Sequence, residues 1–312
     1  MSILELFPTR MWLKISTRFC KIAFLGALVL FFLDIFSASS FAAVAAVSSS
    51  SSAVVCQPEN SPGLYPDGHL FHKLLADPRQ VQLMMSYYRL HGENMGDVAL
   101  GHRWGMDRWS DRFGNQYQWD LEGMAYSRFQ VGLDLNYLET IDYIANLPLE
   151  IRHGPYSGEI MLFHQSSHLG DGYIRQTGNL GFNFSVNGLR AVFSRNFWKI
   201  LRVYGGGYYL LDVAPASLGR GSVQGGFELK SPEFHAPKIK RPLFAYLAED
   251  IQSHQYNQWN INSNAVAGIG LISRRTGRVV RLQLGYFDGH SPYGQFYFER
   301  EHYANVALAF DL

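Results

Sequence analysis

Apolar and polar residues alternate along most of the chain from about residue 81 onwards. A period of two residues is typical of β-strands whose two faces meet different surroundings. The alternation is clearest where Tyr117, Trp119 and Leu121 alternate with polar residues, and again over 280–286. It predicts twelve strands, over 81–90, 97–105, 115–129, 139–152, 157–167, 178–194, 198–210, 220–230, 241–251, 258–272, 278–288 and 301–312.

The last of these strands runs to the C-terminal residue. Leu312, Phe310, Leu308 and Val306 occupy every second position there, as on the lipid-facing side of a membrane strand. An apolar strand edge that stays open promotes aggregation, whereas a closed barrel has no open edge. We therefore predict an all-β fold, an antiparallel transmembrane β-barrel of the outer-membrane type with about 12 strands over 81–312. We expect the barrel-assembly machinery to recognise the C-terminal strand.

A soluble β-sandwich would show the same alternation, and the composition helps to separate the two folds. Aromatic residues make up 15% of the sequence, which suits girdles at two membrane interfaces. Charged residues make up 17%, below the quarter that is usual in soluble domains. The formal net charge of +1 gives no reason to expect nucleic acid as a partner. Outer-membrane lipids are the expected partners, and the oligomeric state stays open.

The N-terminus has the features of an export signal. Basic residues between 14 and 21 precede an apolar run over 22–36, and 40–42 offers small residues at the cleavage positions. We predict a signal peptide over 1–42. The alternative is a transmembrane anchor, but the run is short and contains Asp34. Export of a β-barrel indicates the outer membrane of a Gram-negative bacterium.

Residues 43–80 are predicted to be a linker and a periplasmic N-terminal segment. The stretch 43–55 is rich in Ala and Ser and has low complexity. Residues 69–78 favour a short helix on the periplasmic side. His69 and His72 lie on it, but two imidazoles without a third ligand favour a solvated helix face over a metal site.

The dipeptide Asn187-Gly188 decides the number of strands. Such a pair favours a hairpin turn, which would divide 178–194 in two and give thirteen strands. A barrel with both ends in the periplasm needs an even number. We therefore interpret Asn187-Gly188 as a β-bulge inside one long strand. With twelve strands, the connections 168–177, 211–219 and 289–300 lie outside the cell.

The candidate for catalysis lies at the outer end of the fifth predicted strand. His164 and Ser166 are two residues apart, so their side chains leave the strand on the same face. An imidazole in reach of a hydroxyl can take its proton and make it a nucleophile. Asn179, at the start of the next predicted strand, is the candidate third group that holds the ring. Strict alternation puts Asn179 on the opposite face, so the three side chains meet only if a bulge near Gly178 or Gly181 turns it.

His164-Gln165-Ser166 followed by Asn179 resembles the outer-membrane phospholipase A family. That family is a twelve-stranded barrel with an active His and Ser two residues apart and an Asn on the adjacent strand. Lipid A deacylase barrels are similar through His-x-Ser, with an acidic third member. The resemblance implies a lipid-acyl hydrolase, and under it calcium is a candidate cofactor, while nothing else in the sequence predicts one. The sequence departs from the pattern at Ser167, where that family has Asn followed by Gly.

Four segments spread over nearly the whole mature chain resemble the bacterial family catalogued as domain-of-unknown-function family 1207. They are Leu70-Phe-His-Lys-Leu-Leu-Ala-Asp-Pro-Arg79, His164-Gln-Ser-Ser-His-Leu-Gly-Asp171, Arg202-Val-Tyr-Gly-Gly-Gly-Tyr208 and Asp288-Gly-His-Ser-Pro-Tyr-Gly-Gln-Phe-Tyr297. The family is grouped with outer-membrane barrels and has no established activity. The resemblance therefore supports the fold and leaves the function open.

Two loops hold further candidates for ligand binding. His168 and Asp171 follow the fifth strand, and Asp288, His290 and Gln295 lie in the last connection. The alternative is that these polar groups satisfy the barrel mouth and order its loops. Three functions stay open: a structural, adhesive or host-facing surface protein, a lipid-acyl hydrolase that uses the His-x-Ser site, and a small-solute channel.

Overall fold

The computed structural model describes residues 62–132, 136–237 and 239–311, so the predicted signal peptide (1–42) and the low-complexity stretch (43–55) lie outside the described residues. The described part contains short helices, among them α1 (Asp171–Thr177). None of its helices is long and apolar enough to cross a membrane. Its strands are β1 (Gly63–Leu64), β2 (Leu83–Leu90), β3 (Glu93–Ser110), β4 (Gln116–Val131), β5 (Asn136–His153), β6 (Tyr156–Leu169), β7 (Phe184–Phe197), β8 (Leu201–Ala214), β9 (Gly221–Lys230), β10 (Leu243–His254), β11 (Ile261–Ile272), β12 (Val279–His290) and β13 (Arg300–Asp311).

Strands β2 to β13 form a closed antiparallel barrel of twelve strands. Each strand pairs with the next along the chain, and β13 pairs with β2, as in the register Leu308 to Met85. The short β1 adds to the far end of β3. The predicted fold and strand number are thereby confirmed. We call the end of the barrel where β2 begins and β13 ends the terminal rim, and the opposite end the loop rim, which carries 170–183, 215–220 and 291–299.

The alternation along each strand separates the outside of the barrel from its lumen. On β12, Leu282, Leu284 and Tyr286 are exposed, whereas Arg281 and Gln283 between them are buried. Exposed aromatic residues lie towards both rims, as expected for membrane interfaces. Towards the terminal rim they include Trp104, Trp109, Trp119 and Trp198, and towards the loop rim Tyr87, Tyr143, Tyr209 and Tyr286.

Strand β7 continues through Asn187-Gly188, as predicted, but the extra residue of the bulge at this level lies on the neighbouring strand β8. Asn187 pairs with Asp212 and Gly188 pairs with Leu210, so Leu211 of β8 is the extra residue. A turn at this dipeptide would have opened an additional hairpin. The even strand count predicted from this interpretation therefore holds.

Residues 69–82 run through the lumen, and we call them the plug segment. They form no helix, so the short helix expected over 69–78 is wrong. The wall side chains take the hydrogen bonds that a helix would have made internally. Glu150 on β5 accepts from the backbone N–H groups of Leu70 and Phe71, and Asn264 on β11 donates to the carbonyl oxygen of Ala76.

Charged side chains inside the barrel occur in pairs and clusters. Arg103 contacts Glu122 and Glu150, and its Nη2 lies 2.7 Å from Glu159 Oε2. Arg128 donates two hydrogen bonds to Glu301, at 2.6 and 2.8 Å. Pairing of this kind is what makes buried charge tolerable. Together with the plug segment, it fills the lumen with polar groups.

Candidate active site

The outer wall changes from apolar to polar along β6 as it approaches the loop rim. Leu162 is 51% exposed and apolar, and the next outward positions are His164 and Ser166. Gln165 and Ser167 between them are buried towards the lumen. Outward polar residues also occur at this level on the next two strands. We call the set the outer polar patch: His164, Ser166 and His168 on β6, Ser185 and Asn187 on β7, and Asp212 on β8.

The ring of His164 is held by the side chain of Asn187. The two residues stand opposite each other in the β6–β7 ladder, and His164 Nδ1 lies 2.8 Å from Asn187 Oδ1. Because an amide oxygen only accepts, Nδ1 carries the proton in this contact and Nε2 is left as the basic nitrogen. A serine-type site needs a base and an orienting group in this relation, so the pair is a candidate for these two roles.

Asn179, the predicted third member, lies elsewhere. Its side-chain oxygen accepts from the backbone N–H of Gly181 at 2.9 Å, and its backbone N–H donates to the hydroxyl oxygen of Thr177 at 3.1 Å. The predicted strand over 178–194 begins only at Phe184, because helix α1 and a loop precede it. Asn179 is therefore a loop residue, and the amide that contacts His164 is that of Asn187.

Ser166 is half-buried on the outer wall. It stands opposite Tyr143 of β5 on one side and Ser185 of β7 on the other. The hydrogen bonds of the described residues include none between its hydroxyl and the His164 ring. Both side chains leave β6 on the same, outward face.

The level of Ser166 is that of a membrane interface. Its neighbour Tyr143 belongs to the exposed aromatic residues towards the loop rim, and the exposed Leu162 lies below it on β6. Aromatic side chains at this position mark the depth of lipid head groups. The ester bonds of membrane lipids lie between head groups and acyl chains, and thus at the depth of the outer polar patch.

The five loop candidates form two groups with different surroundings. His168 lies next to the last residue of β6, and its ring is 6.0 Å from that of Tyr143, whereas Asp171 is exposed in the first turn of α1. Asp288 pairs with Arg300 at 3.0 Å. The backbone N–H of His290 donates to Asn262 at 2.9 Å, and the residue lines a small pocket together with Arg79 and His254.

Gln295 is buried and fastens the 291–299 loop inside the loop rim. Its side-chain nitrogen donates to the backbone oxygens of Ser167 and Phe182, at 2.8 Å each. Tyr293 of the same loop stacks on Tyr126 at 4.6 Å and lies against Arg128. These contacts order the barrel mouth, which is the role that the alternative interpretation assigned to this loop.

One group of side chains inside the barrel has the composition of a metal site. The ligand atoms of His69, Asp120 and Glu150 lie within 4.8 Å of one another. Glu150 already accepts from two plug N–H groups and contacts Arg103, and Asp120 accepts from Gln118 at 2.7 Å. These oxygens are therefore used to anchor the plug segment. His69 thus contacts Asp120 on the barrel wall and does not lie on a solvated helix face as expected.

The family model described as Protein of unknown function (DUF1207) matches residues 40–312. The chain belongs to this family. The resemblance drawn from four segments of the sequence is thereby confirmed. No curated protein matches the chain.

Solved structures of outer-membrane barrels are similar to the chain. The outer membrane phospholipase (OMPLA) dimer of Salmonella typhi with bound calcium gives a TM-score of 0.51 at 13% identity, over 75% of this chain and 94% of that chain. Outer membrane phospholipase A from Escherichia coli gives 0.49 at 11%, over 75% and 93%. The NanC porin gives 0.41 at 10%, over 74% and 100%. At identities this low the likeness of the first structure shows the fold alone.

Proposed function

We propose that the protein is a lipid-acyl hydrolase of the outer membrane of a Gram-negative bacterium, with the loop rim outside the cell. Ser166 is the nucleophile, His164 the general base and Asn187 the group that orients the ring. The observation that supports this assignment is the 2.8 Å contact between His164 Nδ1 and Asn187 Oδ1 on the lipid-facing wall beside Ser166. The substrate is an ester-linked acyl chain of a lipid in the outer leaflet.

The reaction follows from the tautomer of His164. A rotamer change brings Ser166 Oγ to His164 Nε2, as sites without substrate often tighten only on binding. His164 takes the hydroxyl proton while Oγ attacks the ester carbonyl carbon, and the bond to the lipid alcohol breaks as that alcohol receives the proton. Water then attacks the acyl-serine in the same way. Fatty acid is released and the serine is restored.

The surroundings of the site favour a lipid over a soluble substrate. A soluble ester would be expected to bind in the lumen or in a cleft. The outer polar patch faces outward instead, with apolar Leu162 and Leu189 on the wall below it. Both are exposed, at 51% and 42%. An acyl chain can lie along this wall without leaving the bilayer, and its ester group then meets Ser166.

The oxyanion of the tetrahedral intermediate needs a hydrogen-bond donor, and the backbone of β6 around Ser166 is already paired with its neighbouring strands. Ser166 and Ser167 are paired with β5 on one side and β7 on the other. Calcium takes six to eight oxygen ligands, and the outer polar patch contributes one carboxylate, that of Asp212. The patch alone therefore does not fit a calcium site, and the proposal assigns no step to calcium.

The lumen favours the hydrolase over a small-solute channel. The plug segment crosses it and is bonded to several strands of the wall, and the 291–299 loop enters it from the loop rim. A barrel of twelve strands leaves little free space once its own side chains are inside. A surface or adhesive protein needs no site of this kind. The hydrolase assay therefore also separates a lipid-acyl hydrolase from a surface or adhesive protein.

The test is acyl release by purified protein in mixed micelles, with phospholipid and lipid A as separate substrates and free fatty acid as the readout. Wild type is expected to release fatty acid from one of them. Ser166→Ala is expected to lose at least about 1,000-fold in rate, whereas Ser263→Ala, which removes an outward hydroxyl on β11, is expected to stay near wild type. Absence of release from both lipids would end the proposal.

A further inference from the structure

We propose that Asp212 is a positioning residue for the same site, because it sets the orientation of the Asn187 amide and through it the tautomer of His164. Asn187 Nδ2 lies 3.4 Å from Asp212 Oδ2, so the contacts join three strands in the order His164, Asn187, Asp212. As a part of the catalytic arrangement, this inference rests on the proposed hydrolase function.

The bulge on β8 is what brings Asp212 to the outer wall. Leu210 is buried against the lumen, and regular alternation would make Leu211 the outward residue and Asp212 an inward one. Because Leu211 is extra, Asp212 stands directly opposite Asn187, and residues directly opposite each other share a face. Val213 then returns to the lumen side, where it packs beside Leu210. The bulge thus moves a carboxylate next to the orienting amide.

The carboxylate of Asp212 determines which atom of the Asn187 amide faces His164. An asparagine side chain can turn either its oxygen or its nitrogen to a neighbour, and an ionised carboxylate only accepts hydrogen bonds. Asp212 therefore binds the Asn187 nitrogen and leaves the oxygen for His164. The oxygen in turn requires the proton on Nδ1 of the ring, which leaves Nε2 free to accept the serine proton.

The placement of Asp212 on the outer wall has no other explanation among its contacts. The ion pairs of the described residues do not include Asp212, although twelve of them involve arginine. Charged residues on a lipid-facing wall are costly, and they persist mainly where they have a function. The hydrogen bond to Asn187 gives Asp212 such a function.

The kinetic test compares substitutions at Asp212 in the intact protein. Asp212→Leu is expected to lower kcat by about tenfold to a hundredfold with KM nearly unchanged, since a hydrogen bond to a charged group is lost away from the substrate. Asp212→Glu keeps an accepting carboxylate and is expected to recover most of the rate. Glu249→Leu removes another outward carboxylate, two strands away on β10, and is expected to leave kcat unchanged. Equal kcat in wild type and Asp212→Leu would overturn the inference while Ser166→Ala could still support the hydrolase.

A second measurement does not depend on turnover. In ¹⁵N-histidine-labelled protein in micelles, the signal of His164 is identified by its loss in His164→Gln, and its two nitrogen shifts report the tautomer. We expect the Nδ1–H form in wild type and in Glu249→Leu, and a mixed or Nε2–H form in Asp212→Leu. An unchanged tautomer in Asp212→Leu would overturn the role of Asp212. A protein that releases no fatty acid would refute the proposed function, and the nitrogen shifts would still decide whether Asp212 orients the ring.

Discussion

Asp77 of the plug segment and Arg190 of β7 form an ion pair inside the barrel, with 2.8 Å between Asp77 Oδ2 and Arg190 Nη2. The same carboxylate accepts from Gln224 at 3.0 Å and from Gln252 at 3.2 Å. One plug residue is thus bonded to β7, β9 and β10. Arg190 Nη1 lies 3.9 Å from the nearest other carboxylate, that of Glu159. Glu159 already forms an ion pair with Arg103. Asp77 is therefore the main counter-charge for Arg190.

Replacing Asp77 by alanine is expected to loosen the plug segment. The change leaves Arg190 charged inside the barrel without its main partner, and the loss of one member of a buried pair costs about 3–5 kcal/mol. Limited proteolysis of the folded protein in micelles, read by mass spectrometry, should show cleavage within 69–82 at lower protease concentration than in wild type. Asp67→Ala changes an exposed carboxylate nearby and serves as the control. Equal resistance of the two variants would contradict the assigned role of Asp77.

The wild-type barrel is expected to pass no ions, because two elements occupy its lumen. The plug segment is bonded to the wall along its length, and the loop over 291–299 places Tyr293 and Phe296 among buried residues. Single-channel recording in a planar bilayer should show no steps for wild type. A variant that lacks residues 62–80 and has 292–298 replaced by a short Gly-Ser linker should show them. Steps from the wild-type protein would restore the channel hypothesis.

The 291–299 loop is expected to depend on Gln295. Its side-chain oxygen accepts from the backbone N–H of Phe182 at 3.3 Å, in addition to the two bonds that its nitrogen donates. Gln295→Leu keeps the volume and removes all three, so amide hydrogen exchange over 291–299 and 180–183 should become faster. Gln258→Leu, in a different loop of the same rim, should leave both segments unchanged. Unaltered exchange in Gln295→Leu would mean that the packing of Tyr293 holds the loop by itself.

Alternation and the demand for an even strand number were sufficient to predict the barrel. Both depend on local rules, because a lipid-facing strand has a period of two and a hairpin turn at Asn187-Gly188 would have given an odd number of strands. The plug segment was not predictable in this way. Its backbone bonds to side chains far away in sequence, as Leu70 does to Glu150, and no periodicity of residues 69–82 encodes those partners.

The candidate site was predictable only in its local part. His164 and Ser166 lie on one strand, so their common face follows from spacing alone. The proposed third residue follows from the register of β6 with β7, and this register depends on how many residues the connection uses. Helix α1 and the loop after it move the start of β7 to Phe184, which puts Asn187 opposite His164 and leaves Asn179 in the loop.

The two asparagines provide the most direct test of this geometry. In Asn187→Ala the His164 ring loses the acceptor for its Nδ1 proton, so that either tautomer becomes accessible and the base is no longer aligned with Ser166. We expect acyl release to fall by at least about 100-fold. Asn179→Ala removes an amide of the same size from the loop, where its side-chain oxygen accepts from the backbone N–H of Gly181. Its activity should stay within about twofold of wild type.

Reactivity towards a fluorophosphonate probe separates chemistry from substrate binding in these variants. Wild type and Asn179→Ala should be labelled at Ser166 at similar rates, and Asn187→Ala much more slowly, with circular dichroism confirming that all three barrels are folded. Asn187→Asp places a charged acceptor at the same position and should retain more labelling than Asn187→Ala, because its carboxylate still accepts from Nδ1. If Asn179→Ala were the slow variant instead, the loop would have to close over His164 when lipid binds, and the orienting role would pass from Asn187 to Asn179.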